Sequence, residues 1–395
     1  MKTGRLIRGT AAIAVAVLAL ATAAAGSRTA MAGSTTPSVP PAEASTWEMV
    51  PIPSVRGQAD LTEVTAFSPS DAWAVGYVRD RTGVRTLTLH WDGSLWTRIP
   101  SPNRSRAQNW LFAVAGSSSS DVWAAGYDVD ADGTHRTLLM HWNGMRWQVV
   151  PSPSDNTPDS MLVGVTALSP TDAWAVGSVT AWPFTGQTLV QHWDGDRWSV
   201  VESPNPGTTG LGSNLLDVAA SSAADLWAVG DYDEGDMVMR TLTEHWDGTS
   251  WTVVPSPTRR DGALLGSVAA DSATEAWAVG YAYGPTHLEP LAQRWDGSSW
   301  QVSTTPTFDG MDATFADVAL RGPDDVWAVG GQGTDTLIAH WDGLTWTVVP
   351  GVDPGTVGSS LTAVTAVPAS TCLWAVGQFT DGERAEPFIE RSCTP

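Results

Sequence analysis

The stretch DAWAVGYVRDRTGVRTLTLHWDGSLW, residues 71–96, decides how the whole chain reads. Trp73-Ala74-Val75-Gly76 is a short apolar run with strand character, introduced by the turn residues Ser68-Pro69-Ser70-Asp71. A second run ends in His90-Trp91, Asp92-Gly93 marks a tight turn, and Trp96 opens a run that ends in Pro100-Ser101-Pro102. Ahead of the first turn lies a Leu-x-x-Val segment, Leu61–Val64. Four short strands are predicted. The first carries Leu-x-x-Val, the second Trp-Ala-Val-Gly, the third ends in His-Trp, and the fourth starts at the last Trp.

The same unit recurs along the chain. Trp-Ala-Val/Ala-Gly returns with Trp123, Trp174, Trp227, Trp277, Trp327 and Trp374, at intervals of 47 to 53 residues. His-Trp-Asp-Gly-x-x-Trp follows the first six copies, starting at His90, His141 (Asn143 for Asp), His192, His245, Arg294 (Arg for His) and His340. Four strands in about 50 residues, repeated, is the sequence signature of a β-propeller blade. Helical repeats of this period would need 3.6-residue periodicity over 10–15-residue segments, and none is present. The seventh copy lacks a fourth strand, while Trp47–Pro53 matches that strand at the other end. The expected fold is therefore all-β: a seven-bladed propeller over residues 46–395, four antiparallel strands per blade, closed by the N-terminal strand completing the last blade.

The repeat resembles those of secreted bacterial β-propeller proteins, with an architecture similar to the kelch and WD40 families. It lacks the Gly-Gly pair of kelch and the Gly-His and Trp-Asp of WD40 repeats, so the resemblance implies a fold and no inherited partner.

Composition fits this reading. The chain has 395 residues with 22 Trp, of which 20 fall in three slots of the repeat. Hydrophobic residues make up 42% and charged residues 16%, enough for a large core. The net charge of −21 leaves no basic surface for nucleic acid. Lys2 is the only lysine, which excludes Schiff-base and P-loop lysine chemistry. Lys2, Arg5 and Arg8, the apolar run Ala11–Ala25 and Ala30-Met31-Ala32 form a Sec-type signal peptide over residues 1–32. Residues 33–45 read as a linker. A secreted monomer with no membrane span is expected.

Cys372 stands where other copies have Asp before the Trp, and Cys393 where they have the Asp of Trp-Asp-Gly. Two replacements in one copy of an exported chain predict a disulfide.

The repeated His and Asp residues are architectural, since a group needed once per site would not be copied six times. Function is sought where the copies differ, in the links between strands two and three and between strands four and one. Both emerge on one face of a propeller. Trp110 and Trp182 fall outside the repeat at these links, with Tyr281, Tyr283, Arg259, Arg260 and His287 as further ligand-binding candidates. Asp128, Asp130 and Asp132, followed by Gly133, resemble the start of a calcium loop, although Leu139 replaces the closing Glu. No cofactor is expected, with calcium at this loop as the alternative. Glu63, Asp217 and Asp317 precede the Val of strand one and face the expected channel. The expected function is non-enzymatic recognition of an extracellular polysaccharide, cell-wall component or protein. The rival is a carbohydrate-active hydrolase or lyase using the channel carboxylates.

Overall fold

The computed structural model describes residues 47–153, 159–181, 185–207, 211–382 and 384–393. The expected signal peptide and linker lie outside them. Among the described residues there are 28 β-strands and no helix, so no helix is long and apolar enough to cross a membrane. Five sheets have four antiparallel strands each. A sixth has eight, two four-strand sets joined through one parallel pair, Val84–Gln108. The sets follow the repeats in chain order and are called units one to seven.

Unit one shows the pattern. Gln58–Ser68, Asp71–Asp80, Gly83–Trp91 and Trp96–Arg98 pair in succession. Its second strand is buried over seven consecutive residues, because neighbouring units cover both faces. A run of Ala, Trp and Val without polar alternation is what such a strand requires. In unit seven the fourth strand is Trp47–Val50, antiparallel to Arg384–Cys393, with Trp47 opposite Ser392. The N-terminal segment thus completes the last set, as the orphan WEMVPIP predicts.

Every first strand breaks register inside Leu-x-x-Val, as between Leu61 and Glu63 or Leu361 and Ala363. The extra residue makes a β-bulge that bends the strand. This explains the glycine of Trp-Ala-Val-Gly. A Cβ on Gly76 would stand 2.0 Å from the Asp60 carbonyl oxygen. Only glycine admits so close a backbone.

First strands of successive units lie side by side, from Gln58–Ser68 through to Gly358–Ala366, which lies against Gln58–Ser68 again. The cores form between units. Trp73 packs on Trp142 and Trp147 of the next unit at 4.8 and 5.2 Å. Trp227 packs likewise on Trp295 and Trp300, at 4.7 and 4.9 Å. Trp327 meets Trp47 at 6.0 Å, and Trp374 of unit seven meets Trp91 and Trp96 of unit one at 5.0 and 5.3 Å. Each such aromatic pair adds about 0.5–1.5 kcal/mol beyond the area it buries.

The repeated polar residues tie strand three to the start of strand two. His90 meets Asp71 at 3.0 Å and His245 meets Asp225 at 2.6 Å, with the same contact at His141, His192 and His340. In unit five both partners change together, to Arg294 and Glu275 at 2.7 Å. In unit seven Cys372 takes the Asp slot and is disulfide-bonded to Cys393, its directly opposed partner in the ladder. Arg391 then turns to Glu48 of the N-terminal strand, at 2.8 Å.

Candidate functional site

Antiparallel strands place alternate connections at opposite ends of each sheet. One end carries the turns from strand one to two and from three to four. The latter are near-identical Asp-Gly turns in which an aspartate such as Asp92, Asp247 or Asp342 caps the following amides. The other end carries the links that differ, and the candidate residues gather there or at the innermost strands.

Of the channel candidates, Asp217 and Asp317 are joined by Ser267, whose hydroxyl oxygen lies within hydrogen-bonding distance of both carboxylates. Each carboxylate also accepts two backbone amides, one from its own unit and one from a later unit. Asp217 accepts Val218 N–H at 2.8 Å and Val268 N–H at 2.9 Å. Asp317 accepts Val318 N–H at 2.8 Å and Val364 N–H at 2.7 Å. These amides lie beside the bulges, so the carboxylates replace bonds that the ladder cannot supply. Glu63 accepts Val64 N–H at 2.9 Å. Burial raises all three carboxyls, Asp217 to about 7 and Asp317 to about 6, and mutual repulsion adds to the rise at Glu63 and Asp217.

Trp110 stands on the first strand of unit two, directly opposite Tyr127. It is half-buried in an aromatic cluster. Its ring centroid lies 4.3 Å from Tyr77 and 6.0 Å from Tyr127, is stacked parallel to Phe112 at 6.4 Å, and has the Arg79 guanidinium 5.3 Å away. Its buried indole N–H finds no acceptor among the described residues. Trp182 lies outside the described residues. Tyr281 is buried, 5.8 Å from Tyr283, which is 36% exposed. Arg259 forms an ion pair with Glu289, and Arg260 is exposed.

The three candidate calcium ligands are engaged separately. Asp128 holds Arg104 through two contacts of 2.9 and 2.7 Å, Asp130 meets Arg136 at 2.6 Å, and Asp132 accepts the Thr134 amide at 3.0 Å. Among the described residues no group of three or more His, Cys, Asp or Glu is placed to hold a metal.

Two features at the variable end were not read from sequence. One is a hollow of about 490 Å³ between Val302–Gly310 and the hairpin bearing Glu289, with Arg259 and His287 at its wall. The other, of about 810 Å³, lies between Met49–Gly57 and the hairpin bearing Glu386.

In sequence the chain matches no family model and none of the curated proteins compared. In structure it is similar to YCF48 bound to D1 peptide, with a TM-score of 0.58 and 15% identity over 91% of this chain and 100% of that one. YCF48 from Cyanidioschyzon merolae gives 0.55 and 17% over 88% and 98%. The GH74 xyloglucanase from Xanthomonas campestris gives 0.51 and 15% over 84% of this chain and 53% of that one. The fold these share with the present chain is a β-propeller.

Proposed function

We propose that the chain is an exported recognition protein. It is a seven-bladed propeller closed through its N-terminal strand, binding an extracellular glycan or protein on the face that carries the variable links. The observation that carries this reading is the difference between the two ends of the sheets. One end repeats the same Asp-Gly turns and His–Asp pairs from unit to unit. The other concentrates the non-repeat aromatics and the Arg259–Glu289 pair, and it borders two of the hollows, a third of about 500 Å³ being lined by Leu344, Thr345 and Trp346 of the turn end. Structure that is not needed for the repeat and gathers at one end marks a binding face. The likeness to a peptide-bound propeller is compatible with it.

The hydrolase reading rests on Asp217 and Asp317, which share one hydroxyl. Both are already engaged by backbone amides from two units, which favours a structural role.

Screening the purified chain on glycan and peptide arrays, with product analysis of any hit, tests the proposal. A captured ligand released unchanged is expected. Binding should fall with Tyr283→Ala or Arg260→Glu and persist with Met145→Ser, a residue 81% exposed in the Asn143-Gly144 turn at the opposite end. Turnover, or loss of binding only with Met145→Ser, overturns it.

A further inference from the structure

Five units place a threonine four residues before the His of strand three: Thr86, Thr137, Thr188, Thr241 and Thr336. This residue latches the strand-four-to-one link against the sheet. Thr86 N–H donates to Asn103 Oδ1 at 3.0 Å, Thr188 N–H to Asn205 Oδ1 at 2.8 Å, and Thr336 N–H to Asp353 Oδ1 at 2.6 Å. The hydroxyls of Thr86, Thr137, Thr188 and Thr241 meet Ser101, Ser152, Ser203 and Ser256 at 2.7 to 2.8 Å. In units five and seven the position is Pro290 and Pro387. Proline has no N–H to latch. Each of these prolines lines one of the two hollows.

The hollows correspond position by position. Their outer walls, Val302–Gly310 and Met49–Gly57, begin at the same register of strand four, since Val302 pairs with Gln293 as Met49 pairs with Glu390. On the facing hairpins Glu289 precedes Pro290 as Glu386 precedes Pro387, and His287 stands where Arg384 stands. The link has changed in step with the proline. Where unit one has Ser101 and Asn103, unit seven has Ile52 and Ser54. In unit five Thr305 takes the serine slot and donates instead to the Pro290 carbonyl, at 2.8 Å. Because the prolines carry no N–H, a space can stand beside them without stranding a donor, as it would beside a threonine.

We infer that the two hollows are twin ligand sites, each taking a short neutral saccharide segment, so that one chain grips a glycan at two points two units apart. This rests on the recognition reading above. Each hollow offers a glutamate to accept hydroxyl protons, a neighbouring Arg or His to donate, and partly exposed proline rings (Pro306 in one, Pro387 and Pro53 in the other) as walls for the apolar face of a sugar. Their volumes lie in the range of small-ligand sites. A peptide added as a β-strand would meet prolines that cannot donate to a ladder. A polyanion would meet a glutamate in each hollow on a chain of net charge −21. Two sites on one chain raise avidity for a polymer beyond either alone.

Titration calorimetry with cello-, xylo-, manno- and galacto-tetraose tests the inference on the wild type, Glu289→Ala, Glu386→Ala and the double variant. We expect at least one tetraose to bind with two sites per chain, each single variant to keep one site, and the double variant to bind at least tenfold more weakly. The melting temperature should stay unchanged, since both glutamates are at least partly exposed. Absence of heat with all four tetraoses, or wild-type binding by the double variant, overturns the twin sites. If the double variant keeps binding that Tyr283→Ala abolishes, the recognition reading stands and the twin sites fall. If a peptide array gives the only hits, the saccharide assignment falls.

Discussion

The Thr362 hydroxyl lies 2.8 Å from the carbonyl oxygen of Leu61, a residue 301 positions earlier in the chain. The same hydroxyl lies 3.1 Å from Val376 O. Thr62 repeats this pair of contacts within the chain, at 3.1 Å from Leu111 O and 3.1 Å from Val75 O. The contact that joins unit one to unit two therefore also joins unit seven to unit one. Thr362→Val keeps the shape and removes the one donor that the two carbonyls share, at a cost of about 0.5–1.5 kcal/mol. Urea denaturation should show a similar loss for Thr62→Val and Thr362→Val. A neutral Thr362→Val beside a costly Thr62→Val would mean that the last and first units do not close in solution.

The Cys372–Cys393 bond spans 21 residues of the unit that both ends of the chain share. A loop of that length predicts a stabilisation of about 3 kcal/mol in the chain-entropy treatment. Reduction, or Cys372→Ala with Cys393→Ala, should lower the denaturation midpoint accordingly. Unfolded, non-reduced protein should show no reaction with a thiol reagent, and two thiols per chain there would refute the pairing.

Trp73, Cys372 and the orphan Trp47 were legible because each is a position in a repeat. Register comparison alone places them, and the structure puts all three where that comparison does. The bulge was not legible. Leu-x-x-Val reads as plain strand, and the extra residue is marked only indirectly, by the invariance of Gly76 and its six equivalents. The role of Asp217 and Asp317 was hidden for the same reason, since their amide partners belong to other units and exist only after the bulges form. Trp110 reads as a link residue by its distance from the repeat slots, yet the first strand extends far enough to include it. Pro290 and Pro387 stand in the sequence where five units have threonine, but the repeat reading did not single them out. What they depart from is a contact with a link whose length varies, and strand patterning does not report it.

Two fully buried glutamates add to the pH dependence of stability that Glu63, Asp217 and Asp317 bring in the same direction. Among the described residues neither oxygen of Glu244 has a hydrogen-bond partner, and one oxygen of Glu390 has none. Burial raises both carboxyls to about 8, so the folded chain holds protons that the unfolded chain releases from about pH 4.5 upward. Their stabilising protonation is complete below pH 4.5, declines as pH rises, and is lost by about pH 8. At the acid edge the sign reverses. Turn aspartates such as Asp92 and Asp247, held at about 2 by hydrogen bonds from neighbouring hydroxyls and amides, lose their bonds as pH falls toward that value. Denaturation midpoints across pH 4–9 should therefore peak on the acidic side of neutrality. Glu244→Gln should raise stability at pH 9, by on the order of a few kcal/mol, and change it little at pH 4.5. An unchanged pH profile in Glu244→Gln would show that the glutamate is solvated or paired in the folded chain.

Asp317 distinguishes a structural from a catalytic centre. Its two oxygens accept amides from Val318 and Val364, so it staples unit six to unit seven at their innermost strands. Asp317→Asn replaces one acceptor by an NH₂ that faces a backbone donor, and Asp317→Ala removes both acceptors. Each stranded amide costs about 1–3 kcal/mol. Asp317→Ala should therefore be the more destabilising, Asp317→Asn intermediate, and Ser267→Ala the mildest, since the amide bonds survive in it. Hydrogen exchange should locate the change at the Val364 amide, which loses protection in both Asp317 variants. If Asp317→Asn instead left stability and Val364 protection untouched while abolishing hydrolysis of a glycan, the carboxylate would be a catalytic group and the centre of the molecule an active site.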